Sequence, residues 1–140
     1  MSRKLYQLSH VTYSCDYHIV WICKYRGKIM TDIYIKRQLK KIFKTICKWK
    51  GWKIQAWHIG DDHIHLYLSI PPKWSISYVM SVLKSKSSSW IKKNTTKFPK
   101  GAFWCRGYFV TTAGLDENMV KKYINDQFHH QRDLVQQKVF

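Results

Sequence analysis

The sequence predicts an α+β protein of the ferredoxin-like type, in which a four-stranded antiparallel sheet carries helices on one face and a further helix follows at the C-terminal end. Two observations predict this class. Segments rich in β-branched and aromatic residues alternate with segments whose apolar residues recur at helical spacing, in the order β-α-β-β-α-β. The length agrees, because 140 residues suit one domain and not two.

The first half of the chain supplies a strand, a helix and a pair of strands. Residues 12–23 are β-branched and aromatic, which predicts the first strand. Residues 32–49 carry apolar side chains at helical spacing with lysines opposite them, and a glycine follows where helices often end. A second strand is expected over residues 52–59, and a turn at 60–62 leads into a third strand, His63–Ile70, which two prolines end.

The second half supplies the remaining elements. Ser75 can cap a helix over residues 76–92, which a polar, lysine-rich loop follows. Residues 103–111 predict the fourth strand, and a last helix is expected over about 117–130, where acidic residues begin it. We therefore expect one domain over residues 1–140, with a ferredoxin-like core at about 10–113, the segment of the last helix at about 114–130 and a tail at 131–140.

The charge of the chain indicates the kind of partner. Lys and Arg number 25 against 8 Asp and Glu, a formal net charge of +17, and the chain also has 7 Trp, 9 Tyr and 6 Phe. No acidic residue lies between Asp62 and Asp116. Cationic side chains bind phosphates and aromatic rings stack on unpaired bases, so this composition favours a single-stranded nucleic acid. A ribosomal-type or membrane-surface protein would have a similar composition.

Several other classes are disfavoured. The longest apolar run, Ile19–Cys23, is far shorter than the roughly 20 residues of a membrane span, and the N-terminal residues lack the apolar stretch of a secretory signal. The four cysteines form no C-x-x-C pair, which favours reduced thiols over a zinc site or a disulfide framework. We expect a cytoplasmic protein that has no membrane partner.

The third strand contains the first candidate site. Side chains alternate across a strand, so His63, His65 and Tyr67 share the face opposite the apolar Ile64 and Leu66. Two imidazoles at this spacing stand roughly 6–7 Å apart at Cα and can converge on one cation. The alternative is a pair of half-exposed histidines on an open sheet face.

The last helix contains the second candidate. Tyr123 and Gln127 are i,i+4 neighbours and project from nearly the same face, so that a phenol and an amide oxygen could approach one metal ion. The alternative is an ordinary amphipathic helix with one tyrosine in its packing face.

Together these segments resemble a known family. Asp-His-Ile-His-Leu at 62–66 is similar to the His-hydrophobic-His (HUH) signature of single-strand nucleases, and Tyr-Ile-Asn-Asp-Gln at 123–127 is similar to the Tyr-x-x-x-Gln helix of the TnpA-type single-tyrosine transposases of bacterial and archaeal insertion sequences. Residues 24–28, 83–88 and 103–110 also match in order and spacing. Ser85 and Asp61 depart from the family pattern, which has Gly and Pro there.

The resemblance implies a mechanism and its residues. His63, His65 and Gln127 would hold Mg²⁺ or Mn²⁺, and Tyr123 would attack a phosphodiester of single-stranded DNA to form a 5′-phosphotyrosine. It further implies a homodimer whose tyrosine helix acts in trans, with Gly114 as the hinge, and recognition of hairpins near the DNA ends. Candidate DNA contacts are Lys24, Arg26, Lys28, Lys53, Lys84, Lys86 and Arg106 for phosphates, and Trp57, Trp104 and Tyr108 for stacking.

Two alternatives remain open from the sequence. The first is a ferredoxin-like RNA- or DNA-binding module of the RRM kind without a covalent step, which the charge and the aromatic residues fit equally well. The second keeps the HUH site but acts on dispersed palindromic repeats.

Overall fold

The computed structural model describes residues 5–24, 28–94, 102–112 and 118–127. The strands are β1 (Tyr6–Leu8), β2 (Val11–Tyr13), β3 (Asp16–Ile22), β4 (Lys53–Ile59), β5 (His63–Ser69) and β6 (Phe109–Thr111). The helices are α1 (Ile33–Lys50), preceded by a 3₁₀ turn at Lys28–Thr31, α2 (Ile76–Asn94), and α3, for which the described helical residues are 118–127.

The main sheet has the order β4-β5-β3-β6, and each neighbouring pair of strands is antiparallel. The two strands that each precede a long helix, β3 and β5, therefore lie side by side at the centre of the sheet. This is the strand arrangement of the ferredoxin-like fold. The predicted α+β class, with a four-stranded antiparallel sheet and an additional C-terminal helix, is confirmed.

The alternation of side chains gives the sheet two unlike faces. On one face the cross-strand pairs are apolar, as in Trp21 with Ile64 and Ile19 with Leu66, and these residues are fully buried in the main core. The other face, which we call the histidine face, carries on β5 and β3 the residues His63, His65, Tyr67, Ser69, Ile22, Val20, His18 and Asp16. The helices α1 and α2 contribute their buried residues to the apolar face, so the histidine face is left for the site.

The predicted caps of the two long helices are present. At the start of α1 the Asp32 carboxylate accepts a hydrogen bond of 2.8 Å from the Tyr34 backbone N–H, and at its end Gly51 adopts a φ of 77°, which a residue with a side chain rarely adopts. Ser75 caps α2 by accepting from the Tyr78 N–H at 3.1 Å. The helix α2 ends at Asn94, so it includes two residues that were expected in the loop.

The prediction of one first strand over 12–23 was wrong. The chain forms two strands there, because β2 folds back on β1 in a separate two-stranded sheet and β3 begins only at Asp16. The Tyr6 and Tyr13 rings stack across this hairpin with centroids 5.5 Å apart. Strand propensity is the same in β2 and β3, so composition alone does not show where one strand ends and the next begins.

The predicted fourth strand at 103–111 is also shorter than expected. Only Phe109–Thr111 forms a strand, and Trp104 makes a single bridge to Cys23. Between them Gly107 has a φ of 83°, which interrupts the extended backbone.

The last helix is confirmed for residues 118–127. Residue 117, residues 128–130, the predicted tail at 131–140, Gly114 and the loop residues 95–101 lie outside the described residues. Among the helices described, none is both long and apolar enough to cross a membrane.

Candidate active site

The two histidines of β5 stand side by side on the histidine face. The His63 and His65 rings have centroids 5.0 Å apart and an interplanar angle of 72°. Their cross-strand partners on β3 are Ile22 and Val20, which are fully buried, and this packing fixes the strand beneath the rings. The predicted pairing of these histidines on one face is therefore confirmed.

The orientation of His63 is held by two neighbours. Its Nδ1 lies 2.7 Å from the Asp62 carboxylate, which favours a proton on Nδ1 and leaves Nε2 as the ring atom with a lone pair. Gly60 lies directly against the ring, because a Cβ at this position would be 2.9 Å from the His63 Cε1. The sequence suggested a turn at Gly60, but the structure shows that the glycine also makes room for the imidazole.

A third imidazole lies next to this pair. His58 on β4 is the cross-strand partner of His65, and its ring centroid lies 6.0 Å from that of His63 and 6.2 Å from that of His65. Sequence reasoning missed His58. The available signal was the short turn at 60–62, since a tight turn fixes the register of the two strands it joins and places His58 opposite His65.

The electrostatic environment keeps His65 neutral. Burial lowers the pKa of His65 to about 4, and the charges of His63, His58 and His18 act in the same direction. A neutral imidazole is the form that binds a metal ion. Within the four described ranges no three His, Cys, Asp or Glu side chains form a metal-binding group, so a metal here would need a donor of another type besides His63 and His65.

The helix α3 packs on the same side of the sheet as the histidines. Val120 is buried, Ile124 packs against Ile22 and Cys105, and the Tyr123 ring lies 5.9 Å from that of Phe109 on β6. Since Phe109 is the cross-strand partner of Val20, which pairs on its other side with His65, α3 covers part of the histidine face.

The hydroxyl of Tyr123 is enclosed. It is buried and has no hydrogen-bond partner among the residues that the structure describes. Burial raises the pKa of Tyr123 to about 12, and Cys105 acts in the same direction. In this position the phenol is protonated at neutral pH and shielded from solvent.

The Tyr123 hydroxyl is not hydrogen-bonded to His63 or His65. The ring contact described for Tyr123 is with Phe109, which is separated from His65 by Val20 in the sheet. Gln127 lies one helical turn after Tyr123 on the same side of α3 and is half-buried.

Some of the predicted DNA-contacting residues lie on the surface. Lys53, Lys86 and Arg106 are exposed, and the Lys53 ammonium lies 5.0 Å from the centre of the Tyr6 ring. Trp57 and Tyr108 are half-buried and pack against the main core. The ammonium groups of Lys40 and Lys44 lie over the Trp57 ring at 5.8 and 5.7 Å.

Two other predicted DNA contacts, Trp104 and Lys84, make hydrogen bonds within the protein. Trp104 is buried in the core, where its indole N–H donates to Ser87 at 2.9 Å, so it is placed as a core residue and not as a stacking partner. Lys84 donates to the carbonyl oxygens of Cys105 and Gly107 at 2.9 and 2.6 Å and so holds the chain before β6. Lys24 is half-buried next to the same segment. Arg26 and the side chain of Lys28 lie outside the described residues.

The ferredoxin-like sheet thus carries two histidines on one face, and the helix with Tyr123 packs on the same side of the sheet. Residues 11–127 match the family model described as "Transposase IS200 like", which is most of the chain. The chain belongs to this family of IS200-like transposases.

Curated relatives and solved structures agree with this assignment. The transposase for insertion sequence element IS200 of Salmonella typhimurium is 36% identical over 129 residues, which cover 89% of this chain and 84% of that protein. The ISDra2 transposase TnpA of Deinococcus radiodurans is 26% identical over 123 residues, which cover 82% of this chain and 85% of that protein.

Two solved structures share the fold. A crystal structure from Deinococcus radiodurans R1, described as that of a transposase, is 26% identical with a TM-score of 0.78 and covers 87% of this chain and 97% of that one. A REP-associated tyrosine transposase bound to a REP hairpin is 14% identical with a TM-score of 0.58 and covers 92% of this chain and 74% of that one. A transposase of the IS200 type acts on DNA by cleavage and strand transfer, and the alternative of a non-catalytic RRM-type module was therefore wrong.

Proposed function

We propose that this transposase cleaves and rejoins single-stranded DNA at the ends of its insertion sequence through a covalent bond between Tyr123 and a 5′-phosphate. The observation that carries the proposal is the pair His63 and His65 on the face of the sheet against which the tyrosine helix packs. An oriented imidazole pair suits the binding of one phosphodiester, and a phenol on a separate element suits attack on it.

The side chains at this site suit the binding of a divalent ion that assists the reaction. His65 is neutral, His63 is oriented by Asp62, and the amide oxygen of Gln127 is the third donor that we assign. Imidazole with an amide oxygen suits Mn²⁺, and Mg²⁺ is the more abundant ion. When bound, such an ion supplies polarisation of the phosphodiester and neutralisation of the charge that develops on it.

The covalent step uses Tyr123. The phenol loses its proton as its oxygen forms a bond to phosphorus, the bond from phosphorus to the 3′-oxygen breaks, and that oxygen takes up a proton and leaves as a 3′-hydroxyl, so that no net proton is gained or lost. The phosphodiester energy is retained in the phosphotyrosine, so a 3′-hydroxyl of another strand can reverse the step without ATP. Retention of the phosphodiester energy in the covalent intermediate suits strand transfer better than hydrolysis.

The packed position of the helix does not suit this step. In it the Tyr123 hydroxyl is protonated, enclosed and without a hydrogen bond to either histidine. We propose that α3 leaves this position and completes a histidine site, in a homodimer the site of the partner subunit, with Gly114 in the connecting segment. A mobile nucleophile of this kind would react only when both DNA and helix are in place.

The DNA would be held by charge. The net charge of +17 and the exposed Lys53, Lys86 and Arg106 support binding of a single strand, and we propose that a hairpin near each end marks the strand for cleavage. Binding should weaken steeply as salt is raised, because phosphate contacts release counterions.

Formation of a protein–DNA adduct tests the proposal. The protein is incubated with single-stranded DNA carrying the hairpin ends of its element, with and without Mg²⁺ or Mn²⁺, and an SDS-resistant adduct is sought. We expect an adduct from the wild type with metal and none from Tyr123→Phe. The proposal is wrong if the wild type forms no adduct on its own ends, or if the adduct persists in Tyr123→Phe.

A further inference from the structure

A flat pair of rings lies next to the histidine pair on the histidine face. His18 on β3 and Tyr67 on β5 are cross-strand partners, and their rings stack with centroids 4.2 Å apart and an interplanar angle of 4°. Both side chains are half-buried and lie opposite the apolar face that forms the main core. The stack is thus a partly exposed aromatic surface on the side of the sheet that carries the site.

The stack is held in place from below. The hydroxyl of Tyr67 lies 3.4 Å from the Asp16 carboxylate, and Ser69 donates a short hydrogen bond to the same carboxylate. Gln55 donates to the Ser69 hydroxyl at 2.9 Å and also to the Tyr6 hydroxyl. Through the Asp16 carboxylate, Tyr67 is linked to Ser69, Gln55 and the Tyr6 hydroxyl, which lie on β5, β4 and β1.

A small side chain flanks the Tyr67 ring on β4. The cross-strand neighbour of Tyr67 on its other side is Ala56 on β4, which is exposed and has the smallest side chain of any chiral residue. The register shift between Ile54 and Ala56 places Gln55 next to it at the other end. The resulting shelf has Ala56 as its floor, the Tyr67 and His18 stack as its wall, and the imidazoles of His58 and His65 at one end.

We propose that this shelf binds the unpaired nucleobase that adjoins the phosphate held at His63 and His65. The inference deepens the proposed function and rests on it. Tyr67 follows His65 by two residues on the same face, a distance of roughly 6.5–7 Å, which is about one nucleotide of an extended strand. A phosphate at the imidazole pair therefore brings its neighbouring base to the shelf.

The chemistry of the shelf fits a base better than it fits other ligands. A flat aromatic surface stacks on the π-face of any base, and a floor without a large side chain lets the base lie against the wall. The chain around it is strongly basic, with Lys53 exposed on the same strand as Ala56, so the attached phosphates are attracted. Stacking without base-edge contacts would position the strand while tolerating different sequences.

Two variants remove the shelf in different ways. Ala56→Leu fills it from an exposed position on the edge strand, and Tyr67→Ala removes its wall. Tyr67→Phe keeps the ring and loses only the hydroxyl. Tyr78→Ala is the matched control, because Tyr78 also has an exposed ring in a stack, with Trp74 at 5.2 Å, but lies on α2 away from the histidine face.

The probe is a single-stranded oligothymidylate with one 2-aminopurine, whose fluorescence is quenched when the base stacks. We expect binding by the wild type with quenching, and binding weaker by about fivefold or more with loss of quenching in Ala56→Leu and Tyr67→Ala. Tyr67→Phe and Tyr78→Ala should behave as the wild type. Thermal melting identifies any variant that does not fold, and Ala56→Leu then decides alone.

The possible failures are distinguishable. Unchanged affinity and quenching in Ala56→Leu would overturn the shelf while leaving the adduct reaction of the wild type intact. A loss of the same size in Tyr78→Ala would overturn it as well, since the effect would not be local. Absence of any wild-type adduct on the natural ends would instead overturn the proposed function on which the shelf depends.

Discussion

The two halves of the candidate site lie on different kinds of element and in different surroundings. The histidines lie on β5, a central strand paired on both sides, and His63 is fixed by Asp62 and Gly60. Tyr123 lies on α3, whose Val120 is buried and whose Ile124 packs against Ile22 and Cys105, and its hydroxyl is enclosed. The histidines, which would bind a phosphate, are already oriented, whereas the tyrosine hydroxyl, which would attack it, is buried.

This difference has a chemical reason. Stabilisation of developing charge requires groups that are already oriented, because reorganising them during the reaction costs free energy. A reactive phenol carries a risk of cleavage at the wrong time, and burial that raises its pKa to about 12 reduces this risk. The sheet thus suits the binding of a phosphate, and the helix suits control over when the tyrosine attacks it.

Loss of a metal-binding imidazole should have the largest effect. We expect His65→Ala to reduce adduct formation by about a hundredfold or more, because the polarisation that it would help to supply is worth several kcal/mol. Binding of the hairpin DNA should change little, since charge and not the imidazole holds the strand. His10→Ala, in the exposed turn between β1 and β2, is the control. An equal loss of binding would make His65 a structural residue.

Disturbing the orientation of the pair should have an intermediate effect. In Gly60→Ala the new Cβ would lie 2.9 Å from the His63 ring, so the ring must move. We expect adduct formation to fall by about ten- to a hundredfold, the range for groups that orient a metal ligand. The free energy of unfolding should change by less than about 1 kcal/mol, because the ring is a movable side chain. Normal activity in this variant would show that the histidine half tolerates displacement.

Loosening the helix should change the titration of Tyr123. Val120→Ala should weaken the docking of α3 by about 1–2 kcal/mol and lower the pKa of Tyr123 from about 12 towards its ordinary 10.0. Tyrosinate absorbance, taken as the difference from the same chain with Tyr123→Phe, measures this change. Val79→Ala, an equal deletion in α2, should leave the titration unchanged.

The raised pKa of Tyr123 also predicts how the free energy of unfolding changes with pH. The folded protein holds the Tyr123 proton more tightly than the unfolded chain, so its contribution is complete below pH 10 and is lost as the pH rises towards 12. A stability curve of Tyr123→Phe with the same decline over this interval would show that other groups cause it.

Much of the fold followed from periodicity. The segments over α1 and β5 were predicted to within a few residues, because caps, prolines and alternation all mark their ends. The N-terminal hairpin was not predicted, since the same strand-forming residues continue through Tyr13 and Asp16 and only tertiary pairing separates the strands.

The candidate site followed from the sequence only in part. Alternation placed His63 and His65 together, and helical spacing placed Tyr123 beside Gln127. The third imidazole, His58, depends on the register between two strands, and the small size required at Gly60 depends on a contact in space. Neither the packed position of α3 nor the enclosure of its phenol has a local signature, because both depend on residues far apart in the chain.

The Cys105 thiol, which lies beneath α3, can serve as a chemical probe of the position of this helix. Cys105 is buried against Ile22 and Ile124, and its Sγ lies 3.8 Å from the Cys23 carbonyl oxygen. If α3 lifts as proposed, Ile124 leaves and Cys105 loses one of the side chains that cover it. The rate at which a maleimide modifies Cys105 would then report on release of the proposed nucleophile, in a solution that contains no DNA.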